Sequence, residues 1–74
     1  MRAGKFETRV LARGNMARIF MSTMKGWQHI GRLHADGKVE LMPATLAPDD
    51  LEQLAIFARA AAKMELKQER SFAL

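Results

Sequence analysis

The side chains with chemistry to offer crowd into the first half of the chain. Residues 1–35 hold Arg2, Lys5, Arg9, Arg13, Arg18, Lys25 and Arg32 against the single acid Glu7, whereas residues 36–74 carry five bases against seven acids. Within that basic half stand the only tryptophan, Trp27, directly after Gly26, and Phe20, between Arg18 and Ser22. Aromatic rings flanked by cations are how proteins hold unstacked bases, with stacking worth about 1–3 kcal/mol per base, while the cations take phosphates. Arg9, Arg13, Arg18, Lys25 and Arg32 are therefore the expected phosphate contacts, with Trp27 and Phe20 as base platforms. The competing assignment places both rings in the core of a domain that has four phenylalanines and one tryptophan. On that assignment the basic residues serve solubility.

Other chemistries find little material. No cysteine is present, which removes disulfides, thiolate metal sites and thiol nucleophiles together. Neither a phosphate-cradling glycine loop followed by Lys-Ser/Thr nor a serine nucleophile elbow occurs, and Ser22 and Ser71 are the only serines. His29 and His34 are five residues apart, so on a regular strand they point to opposite faces and do not chelate one metal. Asp36, Glu40, Asp49 and Asp50 fit a turn, a strand surface and a helix start better than a general acid–base pair. The expectation is a binding protein, not an enzyme, with no cofactor and no metal.

The elements that would position these residues follow from periodicity. Lys5 to Arg13 alternates, with Phe6, Thr8, Val10 and Ala12 on one side and Lys5, Glu7, Arg9 and Arg13 on the other, the pattern of a half-buried strand. Gly14-Asn15 suits a tight turn. Met16 to Met24 reads either as a second strand or as a short helix capped by Asn15 and ended by Gly26, with the strand preferred. Trp27 to His34 and Lys38 to Met42 flank Asp36-Gly37, a strong hairpin signal. Pro43 ends the ladder because it has no amide hydrogen, and residues 44–47 connect to a helix. That helix starts at Pro48 with Asp49 and Asp50 in its first turn and Leu46 able to staple onto Leu51, and it is expected to run to about Arg70, past the end of the sheet.

The predicted fold is a single α+β domain over residues 1–74: a small antiparallel sheet of three to four strands spanning 5–42, with one long C-terminal helix, about 48–70, packed on one face. A chain of this length buries only about 60% of its unfolded surface, so support from oligomerisation is expected. On the helical wheel Leu51, Leu54, Ala55, Phe57, Ala58, Ala61, Ala62, Met64 and Leu66 cover a sector about 200° wide, more than one sheet needs. A bulky row, Leu54, Phe57, Ala61 and Met64, is the expected dimer or partner interface, beside a small-residue row of Ala55, Ala58 and Ala62. Arg59, Lys63, Lys67 and Arg70 form a possible second basic stripe, alternatively complementing the helix dipole. The methionines, especially Met16, Met21 and Met24, read mostly as core filler.

Four strands followed by a helix resembles, in element order, the single-stranded-DNA-binding coactivator and whirly families, whose dimers present a basic curved sheet. Two functional readings result. The first is a small cytoplasmic homodimeric nucleic-acid-binding protein, regulatory in role, favouring single-stranded DNA or RNA over duplex because no base-reading helix is evident. The second is a small protein-binding regulator or inhibitor, of the kind small genomes and mobile elements encode, acting through an apolar helix face or a sheet edge against an acidic protein surface. No stretch approaches the roughly 18 apolar residues of a membrane span.

Overall fold

The computed structural model describes residues 1–42 and 46–68. Five strands form one antiparallel meander in sequence order: β1 Arg2–Ala3, β2 Phe6–Val10, β3 Met16–Thr23, β4 Gly26–His34 and β5 Val39–Leu41. A single helix, α1 Pro48–Glu65, lies across one face. The strand count exceeds the expected three to four because Arg2–Ala3 adds a short edge, paired Arg2 to Glu7 and Ala3 to Phe6. Met16–Thr23 is a strand, as preferred, and no helix forms there.

Alternation divides the sheet into two faces. Phe6, Thr8, Ala17, Ile19 and Leu33 are buried beneath α1, where they meet Leu54, Phe57, Ala58, Ala61 and Ala62. Phe6 and Phe57 stack at 5.6 Å between ring centroids. Ile19 and Leu33 are sealed completely from solvent, each contributing about 1.5–3 kcal/mol by burial. Thr8 and Ala17 are small residues on this face, which leaves room beneath the helix for the buried Leu54 and Phe57. The sequence expectation is corrected here: Leu54, Phe57 and Ala61 pack on their own sheet, so only Met64 of the proposed partner row stays exposed. The buried stripe is also narrower than the expected sector, since Leu51 and Ala55 reach solvent. Among the methionines, Met24 and Met64 are exposed and Met42 largely so, so these are not core filler.

The hairpin at Asp36-Gly37 forms as read: Gly37 adopts φ 91°, His34 N–H donates to the Lys38 carbonyl, and Asp36 Oδ1 accepts from Lys38 N–H. The helix opens at Pro48, with Asp49 and Asp50 in its first turn. Lys5 Nζ reaches Asp50 at 2.6 Å, tying the β1–β2 turn to that end.

The helix does not run to Arg70. It ends at Glu65, and Leu66 turns extended with φ −99° and ψ 141°. Eighteen residues at 1.5 Å span about 27 Å, close to the ~26 Å of the eight-residue β3, so the helix stops where its sheet stops. Leaving the helix lets Leu66 bury itself and lets Lys67 N–H donate to the Gly14 carbonyl at 2.7 Å. Gln68 Nε2 donates to the Ala62 carbonyl, which also accepts from Leu66 N–H. Lys67 therefore lies off the helix, and the basic stripe reduces to Arg59 and Lys63 on α1. Arg70, Pro43 with its expected connection, and residues 71–74 lie outside the described residues. Among the described residues, no helix is long and apolar enough to cross a membrane.

Candidate nucleic-acid interface

The face of the sheet turned away from α1 has no layer over it among the described residues. Cross-strand register places Arg9 opposite Arg18, and Arg18 opposite Arg32, so three arginines stand abreast on β2, β3 and β4. With strands about 4.8 Å apart, like charges directly opposite one another destabilise the sheet. The outer two have acid partners: Arg9 Nε bridges Glu7 at 3.2 Å and Arg32 bridges Glu40 at 3.5 Å. Arg18, in the middle, has no ion pair among the described residues.

One row along, about 6.7 Å away by strand geometry, Glu7, Phe20 and His29 lie side by side. Phe20 and His29 stack at 5.3 Å, and the Arg9 guanidinium sits 4.7 Å from the Phe20 ring centroid. His29 Nε2 lies 2.9 Å from the Gly31 carbonyl, which only accepts, so that nitrogen carries the proton. Beyond them Trp27 pairs with Ser22 and is 37% exposed. The Arg2 guanidinium caps its ring at 4.6 Å. Arg2 also donates to Glu7 from Nη2 at 2.8 Å.

A backbone irregularity makes this face continuous. Ile19 pairs with Gly31 but the next residue, Phe20, pairs with His29, leaving Ile30 without a partner on β3. That extra residue shifts the phase of β4 by one position. Ile30 and Gly31 both turn inward and are buried, while Trp27 and His29 before the bulge share the open face with Arg32 and His34 after it. The expectation that His29 and His34 point to opposite faces is thus corrected. Gly31 is obligatory, since a Cβ there would lie 2.3 Å from the Glu40 carbonyl oxygen.

The electrostatics concentrate the uncompensated charge at the centre. Hydrogen bonds from Arg2 chiefly, opposed by burial and aided by Arg9, hold the Glu7 carboxyl below its ordinary value. Glu40 is likewise held low, chiefly by its hydrogen bond with His34, against burial and with the help of Arg32 and Lys38. Both acids are therefore ionised near neutrality and engage the flanking cations.

Of the residues proposed from sequence, Arg9, Arg18, Phe20, Trp27 and Arg32 share this face. Arg13 and Lys25 do not; they sit in the turns at opposite ends of β3, both exposed. Arg2, His29 and His34 belong to the face and were missed. Two residues of β1 give no periodicity from which to place Arg2. For the histidines a signal existed: Ile30 and Leu33 are both apolar yet of opposite parity, with a glycine between them, the mark of a bulge. Among the described residues, no group of three or more metal-ligating side chains gathers. No family model, no curated protein and no solved structure matches the chain.

Proposed function

We propose that the protein binds single-stranded nucleic acid, DNA or RNA, on the open face of its sheet, as a homodimer with a regulatory role. The observation that carries this reading is the row Arg9–Arg18–Arg32, three cations in direct cross-strand register whose central member has no acid partner among the described residues, bordered by Phe20 and His29 in the next row and Trp27 in the row beyond. Such a row costs folding free energy unless an anion lies over it. Phosphates supply that anion, and the adjacent rings offer stacking surfaces for bases that a duplex keeps inside. Arg13 and Lys25, at the two ends of β3, extend the basic track beyond the sheet. Preference for a particular sequence is weak on this reading, because the contacts are to phosphates and to ring faces.

Fluorescence anisotropy of labelled oligomers tests it over salt from about 50 to 200 mM, where each neutralised phosphate of a single strand adds about 0.7 to the slope of log K against log salt. Three arginines predict a slope near 2, rising with Arg2, Arg13 and Lys25, with single strands bound more tightly than duplex. Absence of any anisotropy change at the lowest salt overturns the reading. A pull-down for an acidic protein partner then becomes the next experiment.

A further inference from the structure

We infer that a second copy of the chain joins along the free edge of β5, extending the five strands into a continuous ten-stranded sheet. The inference rests on the homodimer part of the reading above and is independent of the nucleic-acid part.

β5 is the last strand of the sheet and has a neighbour on one side only among the described residues. Which of its backbone groups are free follows from two hydrogen bonds. His34 N–H donates to the Lys38 carbonyl, and Met42 N–H donates to the Ile30 carbonyl, each at 2.9 Å. Lys38, Met42 and, between them, Glu40 thus turn their amides and carbonyls toward β4. By antiparallel alternation Val39 and Leu41 turn theirs outward, to the empty side. Leu41 and Leu51, 43% and 42% exposed, meet at this edge on the helix side, and Met42, 45% exposed, lies on the other face of the strand. The groove between β5 and the helix is lined mostly by apolar side chains, Val39, Leu41, Leu51, Leu54 and Ala55, together with Gly37 and Arg59.

Charge selects the occupant and the register. Lys38 and Glu40 are two apart and share the open face. A two-fold axis at Val39 pairs Val39 with its own copy through the outward amides and sets Lys38 opposite the second copy's Glu40, twice. An axis at Glu40 would instead oppose two glutamates, which like-charge repulsion disfavours, and an axis at Leu41 would set Glu40 against Met42 and forgo both ion pairs. An edge that complements itself in hydrogen bonding, in apolar surface and in charge fits a second copy of this chain. The two open faces then merge, with the Lys38 side chains joining the arginine rows across the seam.

Light scattering or sedimentation of the full chain tests this through charge exchange. The wild type is expected at twice 8.3 kDa at micromolar to tens-of-micromolar concentration. K38E and E40K alone each place like charges across the axis and are expected to shift toward monomer by tenfold or more in dissociation constant. An equimolar mixture of K38E with E40K restores both opposite-charge pairs and returns the doubled mass, as does the K38E/E40K double variant; K38E, which keeps the Glu40 contacts to Arg32 and His34, carries the test by itself if E40K folds poorly. A wild type that stays monomeric overturns both this inference and the homodimer reading. A dimer indifferent to the single charge changes overturns the β5 seam alone and points to the other flank, where Ile56 and Met64 are exposed.

Discussion

Arg18→Thr separates binding from folding, because the two effects have opposite signs. Arg18 faces Arg9 on one side and Arg32 on the other and has no ion pair among the described residues. Each directly opposed like-charge pair costs about 0.2–1 kcal/mol, and at this exposed surface the lower half applies, giving about 0.5 kcal/mol for the two together. Threonine keeps the β-branched shape that a strand favours and removes both repulsions. For a domain of this size 0.5 kcal/mol corresponds to a Tm rise of about 2–4 °C. The rise should shrink as salt increases, since screening already relieves the wild type. Thermal unfolding at about 20 and 300 mM salt measures it. In the same variant the salt slope of oligonucleotide binding should fall by about 0.7, because one phosphate fewer is neutralised. A variant that is less stable than wild type, or one that binds with an unchanged slope, refutes the argument that the central arginine is held there at the expense of the fold.

Trp27→Ala should weaken single-strand binding by about 1–3 kcal/mol, roughly 5- to 150-fold, with little change in salt slope, because it removes stacking and leaves the charges; the same anisotropy titration reads both quantities. Gly31→Ala forces a Cβ to 2.3 Å from the Glu40 carbonyl oxygen, so β5 must shift, and urea unfolding should show a loss of about 1–3 kcal/mol. Leu33→Ala, at a fully buried position, should cost about 2–5 kcal/mol in the same assay. Burial raises the Glu65 carboxyl, but hydrogen bonds from the Thr8 hydroxyl at 2.5 Å and from the Met1 ammonium outweigh it and leave it below the ordinary 4.5. Its stabilisation is therefore present above about pH 4.5 and lost as pH falls below it, so Glu65→Gln should be less stable at pH 7 and show a flatter acid-unfolding curve.

The legible parts of this chain were those fixed by neighbours in sequence. Alternation through Phe6 and Thr8, the Asp36-Gly37 turn and the Pro48-Asp49-Asp50 start each rest on local geometry, and each forms as the residues imply. The end of the helix was not legible, because Leu66 leaves it to be buried in the core and Lys67 leaves it for the Gly14 carbonyl, far away in sequence. Nor was the division of the helix surface: Leu54 and Phe57 face the sheet where Thr8 and Ala17 are small, a volume that periodicity does not report. At the candidate interface the arginines and rings were visible as residue types. What joined them was Ile30, which has no partner on β3 and turns Trp27 and His29 onto the face of Arg32. A strand read with a strict period of two splits that set between opposite faces.

The most direct test of the open sheet face as the binding surface is a side-chain NMR titration with a short single-stranded oligomer. The account predicts that the Trp27 indole N–H and the Nε–H signals of Arg9, Arg18 and Arg32 shift together, while the methyl groups of Ile56 and Met64 on the helix stay in place. Shifts confined to Ile56 and Met64, with Arg18 and Trp27 unmoved, would contradict it.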